Sequence, residues 1–376
     1  MATGFPKDEM AQPANLGQLL VMGFDGTSIS PPLARLLARV QPAGVILFAR
    51  NIVNAQQTHR LLKDCQAQVE HPLFAMVDLE GGKVDRFRQV MGPTPSAADV
   101  FATHDPKLYR RHGEIIGRTV RALGFNTDLA PVLDLAFDAS RAVMSTRAVS
   151  ERPRAVTAYA RAFLAGLHAA RTIGAGKHFP GLGEGRLDSH HELPVIGKSF
   201  PKLWAEDLLP YRSMKHELPM VLVSHANYPA VSKDKLPASL AKKWITDVLR
   251  RRIGYRGLIL SDDLEMGGVL KAAPVEQAAV EFVRAGGDLC LVCHERQAVE
   301  SAFAALESEY ARDAKFRRRA NESIARIARF KRQHARRLRM GPAPSEETIA
   351  RLSRQLWEFS ERVRLEPLVQ PARASA

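Results

Sequence analysis

Residues 174–194 read GAGKHFPGLGEGRLDSHHELP. An apolar run stops on Lys177 and His178, and a glycine-rich loop follows that carries Asp188 and His190 two positions apart. GAGKHF (174–179) reads as a buried strand, and the glycines after it are too frequent for a helix interior. A carboxylate two residues from a histidine can orient its ring and tune the imidazole for proton transfer. A buried strand that ends on ionisable side chains matches the barrel enzymes, whose chemistry collects where the strands end.

The same pattern repeats along the chain. Apolar, β-rich runs bounded by Gly, Pro or Asp lie at 19–24 (LLVMGF), 44–49 (GVILFA), 73–78 (LFAMVD), 127–135 (TDLAPVLDL), 174–179, 220–226 (MVLVSHA), 257–263 (GLILSDD) and 288–294 (DLCLVCH). Amphipathic stretches separate them, at Pro32–Val40, Ala55–Gln68, Lys107–Leu123, Pro153–Thr172, Leu240–Arg252 and Pro274–Ala285, with Ala298–Tyr310 after the last strand. Gly124, Gly174, Gly254 and Gly286 fall where a helix wants a left-handed terminating residue. Eight such strands alternating with helices predict an α/β fold, a single-domain (β/α)8 TIM barrel, whose strands are buried on both faces. An open doubly wound sheet predicts a dinucleotide fingerprint after its first strand, and GFDGTS is not one.

The expected organisation is a disordered arm over 1–14, the barrel over 15–338, and a linker, amphipathic helix and tail over 339–376, with order lost from Leu365 on. Of the 376 residues, 45% are hydrophobic and 25% charged, ordinary for a globular core of this size. No apolar run reaches the roughly 20 residues of a membrane span, and the N-terminus lacks a basic segment followed by an apolar one. Three cysteines form no disulfide framework and suit a reducing compartment. Cys290 and Cys293 spell C-x-x-C, but in a strand they point to opposite faces and read as buried thiols.

The formal net charge is +14, and eleven basic residues fall between Lys315 and Arg339. Ile324, Ile327 and Phe330 give that segment one apolar stripe, so it reads as a helix with a solvated basic outer face. No aromatic interleaving points to nucleic acid, and none is expected as a partner.

The strands stop on chemistry. Strand three ends in Asp78, strand four in Asp134, strand five in Lys177 and His178, strand six in His225, strand seven in Asp262 and Asp263, and strand eight in His294. Asp134 taken alone reads as a capping residue. After Asp78 the paired glycines of DLEGGKVDR allow a tight turn beside a ligand, and Arg86 and Arg147 bring guanidinium groups to the same end. Such a set suits a sugar with many hydroxyls, and equally a phosphate. Asp262 is the best nucleophile, since carboxylates attack oxocarbenium-like carbons, and the Asp188–His190 pair stands where a second carboxylic acid usually does. No HExxH-like spacing supports a metal centre, and no cofactor is expected.

These residues resemble glycoside hydrolase family 3, the β-N-acetylglucosaminidases of the NagZ type. GQLLVMGFDG, GVILFARNI, VDLEGGKVDRF, LAPVLDL, KHFPGLGEGRLDSH, LPASLAKKW and GLILSDDLEM occur in the family's order, and the KHFPG…DSH and SDDL-M elements are specific. The resemblance implies a compact barrel that hydrolyses β-linked GlcNAc with retention and without metal. It implies Asp262 as the nucleophile, His190 as the general acid/base with Asp188 as its partner, and Asp78, Arg86, Arg147, Lys177 and His178 as the residues that hold the terminal GlcNAc. The implied substrate is a peptidoglycan fragment, GlcNAc-anhydroMurNAc with or without peptide, the implied state a monomer, and the implied location cytoplasmic.

Two departures stand out. Leu182 replaces the second histidine of the family's KHFPGHG, and Thr146 precedes Arg147 where an acidic residue is common. A relative with β-glucosidase or GlcNAc phosphorylase activity, or a non-catalytic binder of cell-wall fragments, is the alternative.

Overall fold

The computed structural model describes residues 15–185, 192–233 and 235–369. Eight short strands form a closed parallel barrel: β1 (Leu20–Met22), β2 (Gly44–Ile46), β3 (Phe74–Val77), β4 (Thr127–Asp128), β5 (Ile173–Phe179), β6 (Met220–Val223), β7 (Leu258–Asp263) and β8 (Leu289–Val292). Each pairs with its neighbours in chain order, and β1 closes the ring against β8 with Leu20 opposite Cys290. This is the (β/α)8 TIM barrel that the alternation predicts, and all eight apolar runs supply a strand. Every residue of β1 to β6 and of β8 is buried, which explains their continuous apolar reading.

β4 is the shortest departure from expectation. Only Thr127 and Asp128 make regular pairs, because Pro131 has no N–H to give the ladder. The path nonetheless stays beside β5: Lys177 donates its backbone N–H to Pro131 at 3.1 Å, and Leu133 donates to the Lys177 carbonyl. Asp134 therefore reaches the C-terminal end of the barrel although its strand has ended.

The predicted helices form, within a few residues, at Pro31–Val40, Ala55–Ala67, Pro106–Ala122, Pro153–Ala169, Val275–Ala285 and Arg296–Arg312. The segment expected over Leu240–Arg252 splits into a 3-10 turn at Ala238–Leu240 and an i→i+5 helix at Lys243–Ile253. Between β5 and β6 two short helices, Phe200–Ala205 and Leu209–Ser213, stand where the sequence offers no long amphipathic segment. Gly254 and Gly286 end their helices in the left-handed region as expected. Gly174 does not: it lies inside β5, and Arg171 takes the positive φ instead. A Cβ at Gly174 would lie 2.7 Å from Leu164 Cδ1 and 2.9 Å from the Ala130 carbonyl, so close packing rather than capping fixes this glycine.

Most of the basic segment is a solvated face as expected, with Lys315, Arg317, Arg318, Arg329, Arg332, Arg336 and Arg339 exposed, but part of it is not. In the helix Ala314–Gln333, Arg319 and Arg326 turn inward and join Arg250 around the buried Asp288 at the entry to β8. Asp288 also accepts the Ile259 N–H at 2.9 Å and the Ser323 hydroxyl at 2.8 Å. One carboxylate thus fastens the helix Ala314–Gln333 to the bottom of β7 and β8. Lys331 is only 7% exposed; its ammonium donates to Gln18 Oε1 at 2.9 Å and lies over the Phe74 ring.

The C-terminal helix runs over Glu346–Val369, past the point where order was expected to end. Leu356, Phe359 and Val363 are buried, and Phe359 stacks on His112 of the helix Pro106–Ala122. That apolar stripe holds the segment on the barrel wall. All three cysteines are free and buried, as the strand reading of C-x-x-C requires. Among the described residues, no helix is long and apolar enough to cross a membrane.

Burial pushes the Lys331 ammonium down from 10.5 to about 7. Between those values the unfolded chain holds a proton that the folded one gives up, so stability rises with pH through that range. Lys331→Met removes the cost of that charge, and urea unfolding should show the variant about 1–4 kcal/mol more stable at pH 7. The gap should shrink toward pH 10.

Candidate active site

The C-terminal ends of the strands surround a cavity of about 380 Å³. Asp78, Arg86, Arg147, Lys177, His178 and Asp262 all line it, so the structure brings together every described residue expected at the site. Asp188 and His190 lie outside the described residues.

Lys177 is the centre of one wall. Its side chain is 3% exposed, and its ammonium lies 2.6 Å from Asp78 Oδ1 and 2.7 Å from Glu80 Oε1. Glu80 comes from a small hairpin after β3, Leu79–Gly81 against Val84–Asp85. Arg147 grips it with both ends of its fork: Nε donates to Oε2 at 2.7 Å and Nη2 to Oε1 at 2.8 Å. Arg86 completes the set, 3.8 Å from Asp78 Oδ2 and above the face of Phe48.

Burial alone would favour neutral carboxyls here, but the neighbouring cations override it. Lys177 and Arg86 hold the Asp78 carboxyl below its ordinary range, and Arg147 and Lys177 hold Glu80 well below. Burial also works against the Lys177 charge, and Asp78 with Glu80 raises it regardless. Asp128, buried behind this cluster, goes the other way: desolvation lifts its carboxyl well above the usual value although it accepts the Leu79 N–H at 2.9 Å.

His178 is fixed from both sides. Its Nδ1 lies 2.6 Å from Asp134 Oδ2, and its Nε2 lies 3.2 Å from Arg147 Nη2. A guanidinium only donates, so Nε2 accepts and the ring proton sits on Nδ1, given to Asp134. Asp134 also accepts the backbone N–H of His178 at 3.1 Å and that of Leu182 at 2.7 Å. It is therefore an anchor for β5 and its loop, and the capping reading of Asp134 is corrected. Leu182 lines the cavity, but its tether to Asp134 uses the main chain and does not depend on the side chain.

The opposite wall is the end of β7. The register with β8 runs Leu289–Leu260 and then Leu291–Asp263, so β7 carries one extra residue between those pairs. This bulge spans Ser261 and Asp262, and it lets the adjacent carboxylates of Asp262 and Asp263 both line the cavity. A regular strand would send them to opposite faces. Asp262 Oδ1 accepts the Asp263 N–H at 3.0 Å. His225, from the end of β6, donates Nε2–H to the Asp263 carbonyl at 2.9 Å and accepts the Ser239 hydroxyl at Nδ1. Burial lowers its pKa, in keeping with a neutral ring.

Sequence reasoning gave Glu80 and Phe48 no role and saw Asp134 only as a strand end and cap. Glu80 stands two residues after Asp78 in DLEGG, and that spacing was the available signal. Asp134 was visible at a strand end without its partner. Phe48 carried no signal, since an aromatic at the end of an apolar run reads as core.

Removing the Asp134 charge while keeping its size should free the His178 ring. Loss of that charge-assisted bond predicts a kcat/KM about ten- to a hundredfold lower for Asp134→Asn on an aryl glycoside, with the melting temperature measured alongside.

Comparison with known proteins bears on the family and the fold. The glycosyl hydrolase family 3 N-terminal domain matches residues 13–329. A β-hexosaminidase from Alkalilimnicola ehrlichii is 37% identical over 287 residues, covering 74% of this chain and 82% of its own. A family 3 β-N-acetylglucosaminidase from Paenibacillus superposes with a TM-score of 0.85 at 29% identity, covering 93% of this chain and 69% of its own. NagZ from Neisseria gonorrhoeae superposes with a TM-score of 0.74 at 26% identity, covering 92% and 97%.

Proposed function

The chain belongs to glycoside hydrolase family 3, and on that premise we propose that it is a retaining exo-β-N-acetylglucosaminidase. The observation that carries the proposal is the placement of Asp262 on the β7 bulge, facing one small cavity whose other wall is the Asp78, Arg86, Lys177 and His178 cluster. A cavity of about 380 Å³ fits one sugar ring with its N-acetyl group better than a long chain, which favours exo-cleavage.

In this reading Asp78 and Lys177 hold sugar hydroxyls, Arg86 contributes further donors, and Arg147 and His178 fix the orientation of the wall. Asp262 attacks the anomeric carbon as the bond to the leaving oxygen breaks, forming a glycosyl ester. His190, tuned by Asp188, gives its proton to that oxygen and then takes one from the water that cleaves the ester. Support for Asp188 and His190 is the DSH motif and its spacing from Lys177. Two displacements at one carbon return the β configuration.

The physiological substrate we infer is a GlcNAc-terminated peptidoglycan fragment, GlcNAc-anhydroMurNAc with or without peptide, met in the cytoplasm during cell-wall recycling. The NagZ-type motifs and the similarity to curated β-hexosaminidases support that inference.

Purified protein should cleave 4-methylumbelliferyl β-GlcNAc and act poorly on the β-glucoside. NMR should show the β-anomer first, and Asp262→Ala should lower kcat by about a thousandfold or more. An α-anomer product overturns retention, and a sugar 1-phosphate in phosphate buffer makes the enzyme a phosphorylase.

A further inference from the structure

Asp262 has a neighbour of identical chemistry, and the two are treated very differently. Both carboxylates line the cavity, yet Asp263 is bonded at every oxygen. Its carbonyl accepts from His225 at 2.9 Å, Oδ1 accepts the Glu265 N–H at 3.1 Å, and Oδ2 faces His294 Nε2 at 3.1 Å. The Asp262 carboxylate takes a single hydrogen bond, from the Asp263 N–H, among the described residues. One aspartate is tied down and the other is left to react.

His294 does the tying, and it is itself built in. Its ring stacks on Phe48 with centroids 5.4 Å apart and planes 24° from parallel. Arg50 lies over the Phe48 ring at 4.7 Å and donates to the Cys293 carbonyl at 2.7 Å, so the turn before His294 is clamped as well. Glu265 accepts the backbone N–H groups of His294 and Glu295 at 2.6 and 2.9 Å, joining the loop after β7 to the loop after β8. The bulge carrying Asp262 is thus held from β6 by His225 and from β8 by His294.

We propose that His294 and Asp263 form a positioning pair for the nucleophile: His294 neutralises and pins Asp263, so that Asp262 alone presents a free carboxylate to the sugar. Two carboxylates on adjacent residues in one cavity repel each other, and a cationic partner against one of them relieves that repulsion. The bond to Asp263 favours the imidazolium of His294, against the opposing effects of burial and Arg50 and with the help of Glu265. Pinning also serves geometry, because a nucleophile must be held in line with the breaking bond. His294 is a positioning residue here: it acts through Asp263 and transfers no proton to the substrate.

The inference rests on the glycosidase reading given above, and its test separates the two. If the wild-type enzyme does not release the aglycone from aryl β-GlcNAc, that reading fails before any variant is compared. Given activity, His294→Asn and Asp263→Asn are assayed on 2,4-dinitrophenyl and 4-methylumbelliferyl β-GlcNAc, with free GlcNAc as a competitive inhibitor. A dinitrophenolate leaves without protonation, so its kcat/KM reports nucleophilic attack and not acid catalysis. Both variants should lose about tenfold in kcat/KM, in equal proportion on the two substrates, with the inhibition constant for GlcNAc unchanged. His294 is half exposed, so the fold should survive the change, and the melting temperature checks it. Unchanged kcat/KM on the dinitrophenyl substrate overturns the proposal. So does a loss confined to the methylumbelliferyl substrate, which would make His294 a proton donor. A GlcNAc inhibition constant that worsens in step with kcat/KM also overturns it, by giving the pair a binding role.

Discussion

An ammonium buried at 3% exposure is tolerable only if anions surround it, and Lys177 between Asp78 and Glu80 is the interaction on which this site depends. Glu80 in turn needs Arg147, and Arg147 bonds His178, which needs Asp134. The chain of partners crosses β3, the loop after β4, and β5, so it joins three successive strand ends into one rigid wall. Leaving any member unpaired in this setting would cost about 3–5 kcal/mol. The wall is held together by its own pairs, a preorganised arrangement of donors and acceptors rather than an adaptable one.

The facing wall follows a different rule. At the end of β7 a bulge, rather than an ion-pair network, decides what faces the cavity. One extra residue brings two consecutive carboxylates to the same side, and the neighbouring strands then distinguish them. The polar wall and the bulged wall face each other across the cavity, and the proposed reaction assigns binding to the first and attack to the second. At the opposite end of the barrel, Asp288 with Arg250, Arg319 and Arg326 supplies stability alone, consistent with the division of labour between the two faces of this fold.

Much of this was legible in the sequence because burial on both faces leaves an unmistakable trace. Eight apolar runs became eight strands, and of the ionisable residues that ended them Asp78, Lys177, His178, Asp262, Asp263 and His294 line one cavity, while Asp134 and His225 bond to residues in its wall. Where reading failed, a local cue had a non-local cause. Gly174 resembles a helix terminator, but it is small because Leu164 and the Ala130 carbonyl crowd its Cα. The basic residues near the C-terminus resemble a solvated face, but Arg319 and Arg326 have a buried partner in Asp288, which lies far off in sequence. The loss of order expected from Leu365 does not occur there, because the stripe of Leu356, Phe359 and Val363 seats that helix on the barrel.

By itself the sequence determined the barrel, the order of its strands, the family, and the set of ionisable groups gathered at one end. Those follow from period, burial and motif, all of which are local along the chain. Only the tertiary structure decided which group holds which. That Glu80 is the hub between Lys177 and Arg147, that Asp134 orients His178, and that His294 lies against Asp263 are facts about distances between strands. The register of the barrel sets those distances, and a single bulge in β7 changes which side chain faces the substrate.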